Sequence, residues 1–222
     1  ACRARFESCS IVDNVAAPGP ILGAQTFNSF GGAVGGYSGS LIEVVGSTLV
    51  GNVARYGGAI SAYETTIRVV DTEIVGDDPT GLCRVGGAIW MVRNVADIVR
   101  STIRGHEVLS EGFGTGFGGA IATTTATLRL VDSVFESNTS MGSGGALSLN
   151  GGSTTITRGR FGGPDGVGNT AFDPDPDPNR VSYGGALIGG PVTIDGTVFE
   201  GNVGEARAGA IFISGNGSSV TG

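Results

Sequence analysis

The sequence predicts an all-β fold: a right-handed parallel β-helix of about seven coils, with variable loops leaving at one corner. Three observations carry that expectation. A Gly-Gly-Ala-aliphatic tetrad recurs at Gly31–Val34, Gly57–Ile60, Gly86–Ile89, Gly118–Ile121, Gly144–Leu147 and Gly184–Leu187, and Ala208–Ile211 is a copy with Ala for the first Gly. Between the tetrads falls a second signature, an apolar residue followed three positions later by Asn: Ile11/Asn14, Leu49/Asn52, Phe135/Asn138 and Phe199/Asn202, with looser copies at Ile74/Asp77, Ile103/His106 and Phe161. The spacing is nearly constant in one direction only. Seventeen residues separate Gly57 from Ile74, Gly86 from Ile103, Gly118 from Phe135 and Gly144 from Phe161, with 18 from Gly31 to Leu49 and 15 from Gly184 to Phe199, whereas 4 to 16 residues intervene between the Asn-type position and the next tetrad where that position is clear. A solenoid behaves in this way, because its coil stays in register while insertions leave at a corner.

Each element of the repeat has a local reason. Glycine allows a turn at φ > 0 and a close approach of backbones, and the small Ala beside it suits the same crowding. Five and seven residues before the signature position stand Ala4/Phe6, Ile42/Val44, Ile67/Val69, Ala96/Ile98, Leu128/Leu130, Thr154/Ile156 and Val192/Ile194. That period of two is a strand with these residues facing inward. The Asn column suits a left-handed turn residue bonded to its equivalent one coil away. The shortest repeats, 24 to 26 residues, accommodate three short strands and three turns.

The outward positions follow the same register. Six before the signature residue stand Arg5, Glu43, Arg68, Asp97 and Arg129, alternating in sign over five coils. Three before it stand Asp71, Arg100, Asp132 and Arg158, alternating again. Stacked parallel strands bring such residues side by side, where opposite charges attract and like charges repel. The expectation is a ladder of ion pairs on one outer face.

Composition closes off other classes. Of 222 residues, 42 are Gly, with no three-residue period, so the chain is not collagen. Glycine at that density opposes long helices. The 13 basic residues are all Arg and the 20 acids leave a net charge of −7, which argues against nucleic acid as a partner. Nothing in the sequence suits direct membrane insertion by a helix. Cys2, Cys9 and Cys83 are an odd number, so one is free or pairs with another chain. Residues 1–222 read as one β-helical domain. The chain starts and stops within a coil, so a segment of a longer polypeptide is expected.

The pairing of Gly57-Gly58-Ala59-Ile60 with Phe135-Glu136-Ser137-Asn138, repeated along nearly the whole chain, resembles the repeats of the chlamydial polymorphic outer-membrane proteins. The resemblance implies a β-helix of the pectate-lyase-like type, exposed at the cell surface as an autotransporter passenger and serving adhesion.

Candidate sites are few. Tyr37, Tyr63 and Trp90 fall at outward positions on three successive coils and should form an exposed aromatic patch suited to sugar faces. Asp173, Asp175 and Asp177 alternate with proline and are the metal candidates, for Ca²⁺. The prolines favour a solvated acidic loop there, and no cofactor is expected. Asp77, Asp78 and Asp165 read as loop acids, and His106 as a turn residue. Asp71, Asp97 and Asp132 alternate with Arg and read as neutralised, with no catalytic residue assigned. Residues 15–30, 78–85, 107–117 and 162–183 should project as a ragged wall along one edge, where recognition usually sits. The favoured function is an adhesive or structural module, secreted or on the cell surface, without chemistry of its own. Its partners would be a host-cell, matrix or glycan surface, or neighbouring domains or copies stacked end to end. A polysaccharide lyase or glycoside hydrolase is the second reading, and a segment of an extracellular fibre or appendage the third.

Overall fold

The structure, a computed structural model, describes residues 2–16, 29–77, 83–109, 116–164, 167–173, 182–205, 207–214 and 216–222. Every regular element among them is a β-strand, and the strands pair in parallel into a right-handed β-helix. One wall is a 7-stranded sheet, which corresponds to about 6 turns. At a rung spacing near 4.8 Å it is roughly 29 Å tall.

The coil that opens at Gly118 shows the plan. Ile121–Val131 forms the first wall, Val134–Glu136 the second and Thr139–Ser143 the third. In other coils the first wall is two strands, as in Ile60–Tyr63 and Thr66–Val70. The bend between them falls on a left-handed residue, Glu64 at φ 51° and Arg93 at 53°, and Thr125 at 54° marks the same place within Ile121–Val131. The first wall is therefore longer than one of three equal short strands would be, and it takes a bend of its own.

Left-handed residues also make the corners. Between the first and second walls lies a column of Ser8, Gly46, Asp71, Arg100, Asp132, Arg158 and Gly196, all at φ between 46° and 53°. The next corner uses Asp13, Gly51, Gly105, Ser137 and Gly201. The asparagines expected to be left-handed follow this residue rather than occupying it. The division of labour is physical: the preceding residue makes the bend, which leaves the Asn side chain free to turn to the neighbouring coil.

There the asparagines act as clamps. Asn169 donates from Nδ2 to the Phe135 carbonyl at 2.8 Å and to Asn202 Oδ1 at 2.9 Å, and its own Oδ1 accepts from the Asn138 N–H and Nδ2 at 3.2 and 2.9 Å. Asn14 and Asn52 join in the same way. His106 takes this place in its coil, buried, with its N–H on Asn138 Oδ1. A second ladder runs beside the first corner. Hydroxyls of Ser47, Thr72, Ser101 and Ser133 each accept the N–H of the coil before, at 3.0 to 3.4 Å, and each donates to a carbonyl two residues back in its own chain. A hydroxyl satisfies two backbone groups there without charge, as buried polar groups require.

The tetrad glycines meet two separate demands. Gly86 sits at φ 61°, where a Cβ is strained. Gly87 has an ordinary φ, but a Cβ on it would overlap the Gly119 carbonyl oxygen of the next coil and approach His106 Cβ at 2.7 Å. The following alanines bond directly up the stack, as in Ala88 N–H to the Ala120 carbonyl at 2.8 Å. Inside, the signature residues form one column, and Leu49, Ile74, Ile103, Phe135 and Phe161 are wholly buried. Phe135, Phe161 and Phe199 stack with ring centroids 4.8 and 4.9 Å apart and planes 7° from parallel. The rung spacing itself sets that distance.

Candidate functional site

Two outer surfaces hold the chemistry-bearing side chains. The first is the charged column at the end of the first wall. Strand register sets Arg5 opposite Glu43, Glu43 opposite Arg68, Arg68 opposite Asp97 and Asp97 opposite Arg129. Within it Arg129 lies 3.5 Å from Asp97 and Arg68 lies 3.7 Å from Glu43. Arg5 departs from the expected ladder. It binds Glu7 on its own strand at 3.0 Å, while Glu43 takes its hydrogen bond from Arg3 Nε at 2.9 Å. A long flexible Arg chain reaches two positions along the strand as readily as one rung across it. Glu43 is nearly enclosed, with a side chain 6% exposed, and the Arg3 hydrogen bond holds its carboxyl below the usual range.

The neighbouring column is more regular. Arg100 grips Asp71 with Nε and Nη2 on the two carboxylate oxygens, both at 2.7 Å, and Arg158 grips Asp132 identically. These hydrogen bonds lower the pKa of both aspartates and raise that of both arginines. A third set on the second wall pairs Arg104 with Glu73 at 2.8 Å and Arg160 with Glu200 at 3.3 Å. Sequence spacing alone did not single it out, although both pairs lie one residue either side of the signature column.

The second surface is aromatic. Tyr37 and Tyr63 are opposite each other in register, with centroids 6.3 Å apart, and Tyr37 is 53% exposed. Trp90 stands in a different column, opposite Ser61, two residues ahead of the tyrosine column. Phe30 bridges the gap, meeting Tyr37 edge-on at 6.3 Å and Trp90 at 5.4 Å. Tyr56 stacks on Phe30 and also meets Trp90, both at 5.2 Å. Arg93 lies over the Tyr63 ring at 4.8 Å and binds Glu64 at 3.0 Å. The patch thus has five rings rather than three. The signal for the missing two was present: the residue just before the tetrad is aromatic in Phe30, Tyr56, Phe117 and Tyr183.

Beyond Trp90 the same face sinks into an open groove of about 250 Å³, bordered by Trp90, Phe117 and Ile188 and floored by Ala122 and Ser148. Thr124 and Asn150 line its side. Among the described residues that line it, none is ionisable.

Of the metal candidates, Asp173 is described and its N–H donates to Glu205 Oε2 at 3.1 Å, while Asp175 and Asp177 lie outside the described residues. Asp78 and Asp165 also lie outside them, as do most of the projecting loops. Among the described residues no group of three or more His, Cys, Asp or Glu is placed to hold a metal ion. Compared with protein-family profiles, curated proteins and solved structures, the chain matches none.

Proposed function

We propose that this chain is a recognition and adhesion module without chemistry of its own, displayed outside the cell or on its surface, whose β-helix serves as a rigid scaffold. The observation that supports this reading is the division of its outer surface. At the first corner, Asp71 and Asp132 are each occupied on both oxygens by one arginine at 2.7 Å. A general acid needs a raised pKa, and the arginines lower the pKa of both carboxylates instead, while holding each in a fixed ion pair. The aromatic rings, in contrast, stand partly exposed and locked against one another on a fixed wall. Rigid aromatic anchors lose little entropy on binding, which suits a contact surface for a host-cell, matrix or glycan partner.

The test is retention. Beads coated with the protein should be held on immobilised matrix glycoprotein or glycan surfaces. The triple variant Tyr37→Ala, Tyr63→Ala, Trp90→Ala, checked for an intact fold, should be held less. Release of unsaturated or reducing sugar ends from polygalacturonate or another polysaccharide would replace this reading with a lyase or hydrolase.

A further inference from the structure

We propose that the groove beyond Trp90 binds a neutral glycan chain lying along the helix axis, with Trp90 as its stacking platform. The inference rests on the recognition role above and names the ligand class. In the outward column Trp90, Ala122, Ser148 and Ile188 occupy four successive rungs in register. The order large, small, small, large hollows the wall between two raised ends about 14 Å apart, three rung spacings. Ala122 and Ser148 point outward yet are only 4% and 9% exposed, because the larger neighbours shade them. They form a floor on which the edge of a ring can rest.

The groove carries the chemistry of a hydroxyl-rich ligand. Thr124 and Asn150 are exposed on adjacent rungs along its side, offering a hydroxyl, a carbonyl and an amide to sugar hydroxyls. Trp90 supplies a flat apolar surface, held in place by Phe30 and Tyr56 at 5.4 and 5.2 Å. Charge selects against acidic polymers. None of the described lining residues is ionisable, and the chain as a whole carries −7, so an anionic chain finds no counter-charge on them and a repelling field around it.

Trp90 is the only tryptophan in the chain, so its fluorescence reports on the groove directly. The protein would be titrated with cellohexaose, mannohexaose, laminarihexaose and hexagalacturonate. A saturable change is expected with at least one neutral hexasaccharide, unaltered by about 0.5 M NaCl. By calorimetry, Trp90→Ala and the groove-filling Ser148→Phe should each weaken that binding roughly tenfold or more, while Arg100→Gln, at the corner between the first and second walls and outside the groove lining, should not. Binding that survives both groove variants would overturn the proposal, as would a response to hexagalacturonate alone or to no hexasaccharide. Retention on matrix surfaces despite any of those outcomes would leave the adhesion reading standing and remove the groove from it. Loss of retention as well would remove both.

Discussion

Arg100 and Asp71 lie one rung apart at φ 46° and 50°, and two parallel bonds of 2.7 Å join the guanidinium to the carboxylate. The left-handed backbone is strained for any residue with a Cβ. Here it turns both side chains out of the corner in the same direction, so the planar fork of arginine meets the carboxylate without further rearrangement. Arg100→Glu should therefore lower the melting temperature by a few degrees, since the substituted acid would stand between Asp71 and Asp132. Adding Asp71→Arg should restore part of that loss and not all, because the contact with Asp132 would still be between like charges. Both effects should shrink in high salt. Strictly additive losses in the double variant would show that the pair is not coupled.

The same pairs set an acid limit. Hydrogen bonds from Arg100, Arg158 and Arg3 lower the pKa values of Asp71, Asp132 and Glu43 in the folded chain. A lowered carboxyl favours the folded state wherever the unfolded chain would hold the proton more tightly. That contribution is complete at neutral pH, begins to fade near the ordinary carboxylate range of about 4, and is gone once the pH passes below the lowered native values. Melting temperature followed from pH 7 downward should fall steeply below about pH 4. The variant Asp71→Asn, Asp132→Asn should start lower and fall less. Parallel curves for the two proteins would contradict this assignment.

How much of this was legible in the sequence depends on which side of the variable loop a residue lies. Arg68 and Asp97 could be set opposite each other by counting, because the same 17-residue step joins tetrad to signature in both of their coils. Asn169 could not. A five-residue insertion separates it from the place three after Phe161, and periodicity says nothing across an insertion. Trp90 shows a different limit. Its outward direction followed from alternation, but its contact with Phe30 depends on where the preceding loop returns the chain. Arg5 shows a third: the register placed its Cα opposite Glu43, yet the partner of a long side chain is chosen by reach and competition rather than by register.

The tetrad predicts two very different costs for adding one methyl group. Gly145 has no positive φ, but a Cβ there would overlap the Gly185 carbonyl oxygen and lie 2.6 Å from the Thr170 N–H nitrogen. Both obstacles are backbone, one in the adjoining coil and one across the helix, and neither can move alone. Gly145→Ala should prevent folding or cost more than about 4 kcal/mol. Gly39 is at φ 72° with nothing within 4 Å of the added atom. Gly39→Ala should cost roughly 1 kcal/mol, from backbone strain alone. Circular dichroism and thermal melts of the two variants compare crowding with strain directly, and equal costs would refute the explanation of the tetrad given by its contacts.

Asn169 offers the sharpest test of the clamp column, because it is wholly buried and uses its entire carboxamide. Its oxygen serves the N–H and side chain of Asn138, and its nitrogen serves Phe135 and Asn202. Alanine would remove a partner from four groups on two neighbouring coils, in a place closed to bulk water. Leaving buried donors and acceptors unpaired costs about 1–3 kcal/mol for each group that finds no substitute. Asn169→Ala should then destabilise by about 2–4 kcal/mol once water or local shifts satisfy some of them. Asn169→Asp keeps the size and the acceptor but loses the donor and adds a buried charge, so it should be worse at neutral pH and partly recover as acid protonates it. Asn14, exposed at the start of the column, has its side-chain amide on Asn52 Oδ1 and on the Val12 carbonyl of its own coil, and Asn14→Ala should cost well under half as much as Asn169→Ala. Urea unfolding of the three variants would rank them, and equal losses at Asn14 and Asn169 would mean that burial does not govern the clamps.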